Sequence, residues 1–208
     1  MGILISMEGP DGSGKTLQLN LLEEHLQNEG YKVLRTREPG GTPIGEAIRE
    51  VILNPEFKNM DPVTEALLYA ASRAQHVSEK LIPALTEEGL VVLLDRYLDS
   101  SLVYQGIGRG LGMDEVEKIN APAIRGLYPD VTFLVYIDYE EGLRRKNAQE
   151  GHDVDRLEQE QGDFHRKVNE GYLQLLEKYP DRVILIDGAR SPLKIHEDIW
   201  EKCKEVLK

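Results

Sequence analysis

The residues with the plainest chemical purpose are Gly9-Pro10-Asp11-Gly12-Ser13-Gly14-Lys15-Thr16, which fit the spacing Gly-x4-Gly-Lys-[Ser/Thr]. Glycines at those positions let successive backbone N–H groups converge on an anion without side-chain obstruction. The pattern predicts a strand just before the run and a helix opening at Lys15, whose positive dipole end adds to the attraction. In that setting Lys15 reaches the β- and γ-phosphates of a nucleotide, and Thr16 offers its hydroxyl to Mg²⁺. A glycine-rich turn that merely fits is the plainer reading. The flanking strand and helix favour the nucleotide site.

A second carboxylate-bearing run, Leu90-Val91-Val92-Leu93-Leu94-Asp95, resembles a Walker B strand, whose Asp binds or orients the metal shell. Arg96 follows it. ATPase motors usually carry Glu there to activate water, so a cation points away from hydrolysis. No Asn-Lys-x-Asp follows the fourth predicted strand, which weakens the reading as a GTPase switch. Transfer to a bound acceptor fits better.

Three further segments could form the acceptor side. In Thr36-Arg37-Glu38-Pro39-Gly40-Gly41, Arg37 is a candidate fork for a phosphate monoester, a surface Arg–Glu pair being the plainer alternative. Tyr69 and Arg73 lie four apart, so on a helix both project from one face. A ring beside a donor suits a base that is stacked and hydrogen-bonded at its edge, although Tyr69 could equally be core. The run Asp95–Gly106 brings Arg96, Ser101, Tyr104 and Gln105 toward the same sheet edge.

These segments need a scaffold, and the hydrophobic pattern supplies one. Strands are predicted at Ile3–Met7, Lys32–Thr36, Leu90–Asp95, Val131–Asp138 and Arg182–Asp187, several of them continuous apolar runs suited to burial on both faces. Helices are predicted at Lys15–Asn28, Pro43–Leu53, Pro62–Glu88, Asp114–Leu127, Arg156–Lys178 and Pro192–Val206. The alternation implies an α/β fold: a three-layer, five-stranded parallel sheet with helices on both faces. Ligands in such sheets bind beyond the carboxyl ends of the strands, where the motifs above fall.

The chain has 208 residues, the size of one domain, and the expected organisation is a single unit over 1–208. Its 25 Lys and Arg against 37 Asp and Glu leave a net charge of −12, which argues against general binding of polymeric nucleic acid. A local cluster of cations can still hold small anions. The single cysteine, Cys203, excludes an intrachain disulfide and a cysteine-cluster zinc site. No apolar run approaches the ~20 residues of a membrane span, and no secretory leader opens the chain, so cytoplasm is the expected compartment. Met1-Gly2-Ile3-Leu4-Ile5-Ser6 matches the myristoylation pattern, but it reads better as the approach to a buried strand.

Taken in order, Gly9–Thr16, Thr36–Gly41, Thr64–Arg73, Asp95–Gly106, Gly126-Leu127-Tyr128-Pro129-Asp130 and Arg156-Leu157-Glu158 resemble the motifs of bacterial thymidylate kinases over nearly the whole chain. The resemblance implies a P-loop fold and transfer of the ATP γ-phosphoryl group to dTMP with Mg²⁺, giving dTDP for dTTP synthesis. It implies that Arg37 and Arg96 hold the dTMP phosphate and that Arg73, Ser101 and Gln105 read thymine. Tyr69 would stack on the base where the family commonly has Phe, and Tyr104 would crowd the 2′ position. Glu38 joins this substrate-binding set. Asp11 would meet the 3′-hydroxyl or order water around the metal, with Asp155 and Glu158 near the sugar and metal. Thr16, Asp95 and Glu158 form the expected metal set.

The expected lid, about residues 144–156, carries no Arg within Asn147–Asp153. Arg145 or Arg156 is therefore expected to supply transition-state charge, beside Lys15, Arg96 and Asp11, and Arg144 to lie near adenine. Family members form homodimers, which implies one here, through helices flanking Tyr69–Arg73. The rival readings are a kinase for another nucleotide or deoxynucleoside, and a P-loop switch or binding module without transfer.

Overall fold

The computed structural model describes residues 2–148 and 155–207. In chain order the elements are β1 (Ile3–Glu8), α1 (Lys15–Asn28), β2 (Lys32–Arg37), α2 (Pro43–Leu53), α3 (Pro62–His76), α4 (Ile82–Leu85), β3 (Leu90–Asp95) and α5 (Leu98–Ser101). They continue with α6 (Met113–Ile124), β4 (Val131–Tyr136), α7 (Tyr139–Asn147), α8 (Gly162–Lys178), β5 (Val183–Asp187) and α9 (Pro192–Val206). Wide π-helical turns at Val77–Leu81 and Leu102–Gly108 extend α3 and α5.

All strand pairs in the sheet are parallel, in the order β2-β3-β1-β4-β5. The apolar central strands are covered on both faces, as their composition requires. On one face Leu19, Leu22 and Leu26 of α1 and Ile195 and Ile199 of α9 pack against Ile5, Met7, Leu93 and Phe133. On the other, Leu4, Val92, Leu94 and Leu134 meet Val77, Leu102, Val168 and Tyr172.

Register does the functional positioning. Met7 pairs with Asp95 and Arg37 with Asp95, so the carboxyl ends of β1, β2 and β3 finish level. The chain leaves β1 toward β3 and β2 on one side and β4 and β5 on the other, and the loop after β1 sits at that divergence. Local chemistry fixes the helix starts. Asp61 caps α3 by accepting from Val63 N (2.9 Å) and Thr64 N (3.2 Å), and Thr42 accepts from Gly45 N (3.1 Å) at α2.

Some predicted bounds change. The helix expected over Pro62–Glu88 is divided by its π turn into α3 and α4. The helix expected from Arg156 opens at Gly162, because Asp155 to Gln161 form turns in which Asp155 Oδ1 accepts from Glu158 N (2.9 Å). Two helical pieces were unexpected: α5 with its π turn, and α7, which covers residues 144–147 of the expected lid. Residues 149–154 of that lid lie outside the described residues.

Candidate active site

The loop between β1 and α1 is built for close backbone approach. Gly9, Gly12 and Gly14 have φ of 139°, 78° and 94°, values open to glycine and strained for other residues. At Gly12 the space also forbids a side chain, since a Cβ would lie 2.6 Å from the Gly142 carbonyl oxygen of α7. Lys15 is buried at the start of α1 and its Nζ donates to the carbonyls of Gly9 (2.9 Å) and Pro10 (2.8 Å). Burial, reinforced by the Arg96 guanidinium, pulls the Lys15 pKa down to about 8. Ser13 Oγ, within this cradle, is buried with no hydrogen-bond partner among the described residues.

Beyond the cradle lies a cavity of about 240 Å³. Its walls include all of the acceptor-side residues expected from the sequence: Asp11, Arg37, Glu38, Tyr69, Arg73, Arg96, Ser101, Tyr104 and Gln105. Asp95, Asp155 and Glu158 also line it, as does Arg49, which sequence reasoning missed. Arg49 lies one turn along α2 from Glu46 and donates to the Pro39 carbonyl (3.0 Å). Arg37 lines the cavity and also pairs with Glu46 at 3.0 Å, the surface pair of its plainer reading. That pair is nearly half exposed and weak.

Arg96 joins the two halves. Its Nη2 meets Asp11 Oδ1 at 2.6 Å, and its Nη1 donates to the Gly9 carbonyl (3.2 Å), Ser100 Oγ (3.1 Å) and the Tyr172 hydroxyl (2.7 Å). Behind it, buried Glu8 accepts from Tyr97 N (2.7 Å) and from the Ser100 hydroxyl (2.5 Å). Burial and the nearby Asp99 push Glu8 up to about 7, against the pull of Arg96. Burial works against ionisation of Asp11 as well, but Arg96 and Lys15 outweigh it and hold that carboxyl below its usual range. Arg96 thus lies between the cradle and the cavity, its backbone held at φ 65°.

Arg73 is buried and heavily committed. It donates to Glu38 Oε2 (2.8 Å), Tyr97 O (3.0 Å), Ser101 Oγ (3.1 Å) and Asn120 Oδ1. These bonds use four of its five N–H groups. Glu38 is held from the far side by His76 Nδ1 (2.8 Å), whose Nε2 meets Thr36 Oγ1 (2.9 Å). Tyr104 packs edgewise on Phe164 and Tyr172, with the Arg96 guanidinium 5.4 Å from its ring centre. The π turn at Leu102–Gly108 carries Tyr104 and Gln105.

The expected lid cations are distributed differently from one another. Arg144 is exposed and paired with Glu141. Arg145 bonds Glu141 (2.6 Å) and the Gly188 carbonyl (3.0 Å). Arg156 is not brought to the cradle: it is buried, with Nε on the Ile52 carbonyl (2.7 Å) and Nη2 on Glu65 (2.7 Å). Lys146 instead faces Pro10 and Asp11 across a second cavity and pairs with Glu158 at 2.8 Å. The one sequence signal for it was its place next to Arg145, since α7 itself was unexpected.

For a divalent ion the donors at this edge are the Thr16 hydroxyl and the Asp95 carboxylate, with Glu158 across the cavity. No group of three or more His, Cys, Asp or Glu side chains among the described residues could hold a metal by itself. Few protein oxygens, with phosphate and water completing the shell, are what a hard ion such as Mg²⁺ takes beside a nucleotide. The residues present fit it.

The sequence model of the family described as Thymidylate kinase matches residues 7–199. The thymidylate kinase of Thermoanaerobacter sp. (strain X514) is 50% identical over 208 residues, covering 99% of each chain. That of Halalkalibacterium halodurans is 51% identical over 206 residues, covering 99% of this chain and 98% of its own. The crystal structure of thymidylate kinase from Ehrlichia chaffeensis superposes with a TM-score of 0.77 at 28% identity, covering 98% of both chains. With the parallel sheet and the cradle-and-cavity arrangement, these likenesses establish that the chain belongs to the thymidylate kinase family.

Proposed function

We propose that the protein transfers the γ-phosphoryl group of ATP to dTMP, producing dTDP and ADP as a step toward dTTP. The observation that carries this reading is the bridging position of Arg96, bonded to the cradle at Gly9 and Asp11 while lining the acceptor cavity. A cation there touches both anions as they meet.

Gly9 to Thr16 would hold the ATP phosphates, with Lys15 exchanging its carbonyl partners for the β- and γ-oxygens. Thr16 and Asp95 would hold Mg²⁺, with Glu158 nearby, and when bound the ion would supply positive charge against the phosphates. Arg37, Arg96 and Arg49 would fix the dTMP phosphate. Tyr69 would stack on thymine, with Arg73, Ser101 and Gln105 along its edge, and Tyr104 would fill the space a 2′-hydroxyl needs. Asp11 serves the sugar or its water. The acceptor is already an anion, so no side chain is assigned as general base. Catalysis rests on alignment and on positive charge around a loose transition state. Lys146 is the cation of α7 best placed to add to that charge, with Arg145 behind it and Arg144 toward the purine.

Two further expectations belong to this reading. Ile44 and Val51 of α2 and Val63 and Leu67 of α3 are exposed apolar side chains on adjoining helices, which supports a homodimer through that face. No helix among the described residues is long and apolar enough to cross a membrane, and Cys203 is buried and free, which accords with a cytoplasmic protein. The test is a substrate panel of dTMP, dUMP, dCMP, dGMP and thymidine with ATP and Mg²⁺. The highest kcat/KM is expected for dTMP, and a higher value for any other acceptor would overturn the assignment. Light scattering after size exclusion tests the dimer, which a monomeric mass at micromolar concentration would refute.

A further inference from the structure

Gln105 raises a question about its own amide. Its Oε1 is buried and has no hydrogen-bond partner among the described residues, while its Nε2 donates to Glu65 Oε1 at 2.9 Å. Glu65 lies on α3 one turn before Tyr69 and is wholly buried. Arg109 grips it through Nε (3.2 Å to each oxygen) and Nη2 (3.0 Å), and Arg156 adds Nη2 at 2.7 Å. Both arginines are fixed in turn. Arg109 pairs with Glu160 at 2.7 Å and lies over the Phe164 ring at 4.6 Å, and Arg156 is bonded to the Ile52 carbonyl.

From this geometry we infer that Glu65, clamped by Arg109 and Arg156, is a specificity-determining residue: it fixes the amide of Gln105 so that the carbonyl oxygen faces the base and selects a pyrimidine carrying N3–H. A carboxylate between two guanidinium groups only accepts hydrogen bonds, so it takes the NH₂ of Gln105 and repels the carbonyl. The amide cannot turn over without setting oxygen against oxygen in a buried site. Although burial opposes it, the bonds from Arg109 and Gln105 hold Glu65 below the usual carboxylate range. Thymine and uracil would present N3–H to the carbonyl oxygen of Gln105 and O4 to the one remaining N–H of Arg73. Cytosine presents a bare N3 and an amino group, leaving acceptor against acceptor and donor against donor. Arg156, well away from the phosphates, thereby acquires a role in choosing the base.

The inference rests on the reading that the base lies against Gln105, and the test separates the two. Glu65→Gln keeps the shape but lets both amides turn. In this variant KM for dTMP and dUMP is expected to rise together by about tenfold, with kcat within about twofold. The dCMP KM stays level, so the dTMP:dCMP ratio of kcat/KM falls by about tenfold. An unchanged ratio in folded Glu65→Gln overturns the inference. If Gln105→Leu also leaves the ratio unchanged, the placement of the base is wrong as well. If Gln105→Leu alone lowers it, only the role of Glu65 fails. Should Glu65→Gln not fold, the unmodified ¹⁵N-labelled protein decides, its Gln105 amide signal assigned by its loss in Gln105→Leu. Exchange more than about tenfold slower than that of exposed Gln27 supports the clamp, and exchange as fast as Gln27 overturns it.

Discussion

The cradle is a run of eight consecutive residues, Gly9 to Thr16, and what it can offer an anion is mostly backbone N–H groups. The acceptor cavity draws on β2, α2, α3, α5, the π turn after α5 and the turns before α8, and nearly all of its groups are side chains. The cradle therefore depends on conformation, set by glycines with positive φ. The cavity depends on networks within and behind its walls: Glu8, Ser100 and Tyr172 around Arg96, His76 and Glu38 around Arg73, and Glu65 with its arginines behind Gln105. A substitution in the cradle should reach the nucleotide donor first. One in a supporting network should reach the acceptor first.

The largest effect is expected where the regions meet. Arg96→Ala should lower the single-turnover rate by about a hundredfold or more, as loss of a preorganised charge contact does. Lys15→Met should match it while leaving dTMP affinity, measured by calorimetry, unchanged. Weaker dTMP binding in Lys15→Met would break the division between regions. Next, Glu38→Gln removes the buried partner of Arg73 and should raise KM for dTMP by about tenfold. Its KM for ATP should stay level, and a parallel rise in both would show that the cavity and cradle are not separate.

A smaller effect follows from the Lys15 pKa of about 8. In the proposed function the ammonium form is the one that binds triphosphate; it is present below pH 8 and lost above it. ATP affinity should weaken about threefold between pH 7.5 and 8.5, with proton uptake on binding at the higher pH. Calorimetry in two buffers of different ionisation enthalpy measures that uptake; equal heats at pH 8.5 would contradict it. The smallest effect is expected for Tyr69→Phe. The ring does the stacking, so kcat/KM for dTMP should stay within about twofold, and a tenfold loss would give the hydroxyl a direct part.

The same contrast governs what could be read before folding. The bounds of α1, α2 and α9 follow from local signals, and so does the cradle, because its function is written in adjacent residues. Tyr69 and Arg73 were legible from a spacing of four. Glu65, one turn earlier on the same face, carried the same signal, yet nothing local marks a carboxylate as the partner of an arginine 91 positions away. Tyr172, 76 positions from Arg96, was hidden for the same reason. The reading of Arg156 as a phosphate-facing cation came from its nearness to the lid in sequence. The structure brings it instead to Glu65 of α3 and to the end of α2, where the Leu53 carbonyl accepts from its backbone N at 3.1 Å. The π turns were illegible too, since their wider winding leaves no distinct apolar period.

The central claim is that the groups of the cradle and the cavity bring two phosphates together so that one is transferred without escaping to water. Phosphorus NMR of equimolar ATP, dTMP and enzyme with Mg²⁺ tests it most directly. The account predicts one dTDP for each ADP, with inorganic phosphate below a few per cent of product; ADP accompanied by inorganic phosphate and no dTDP would contradict it.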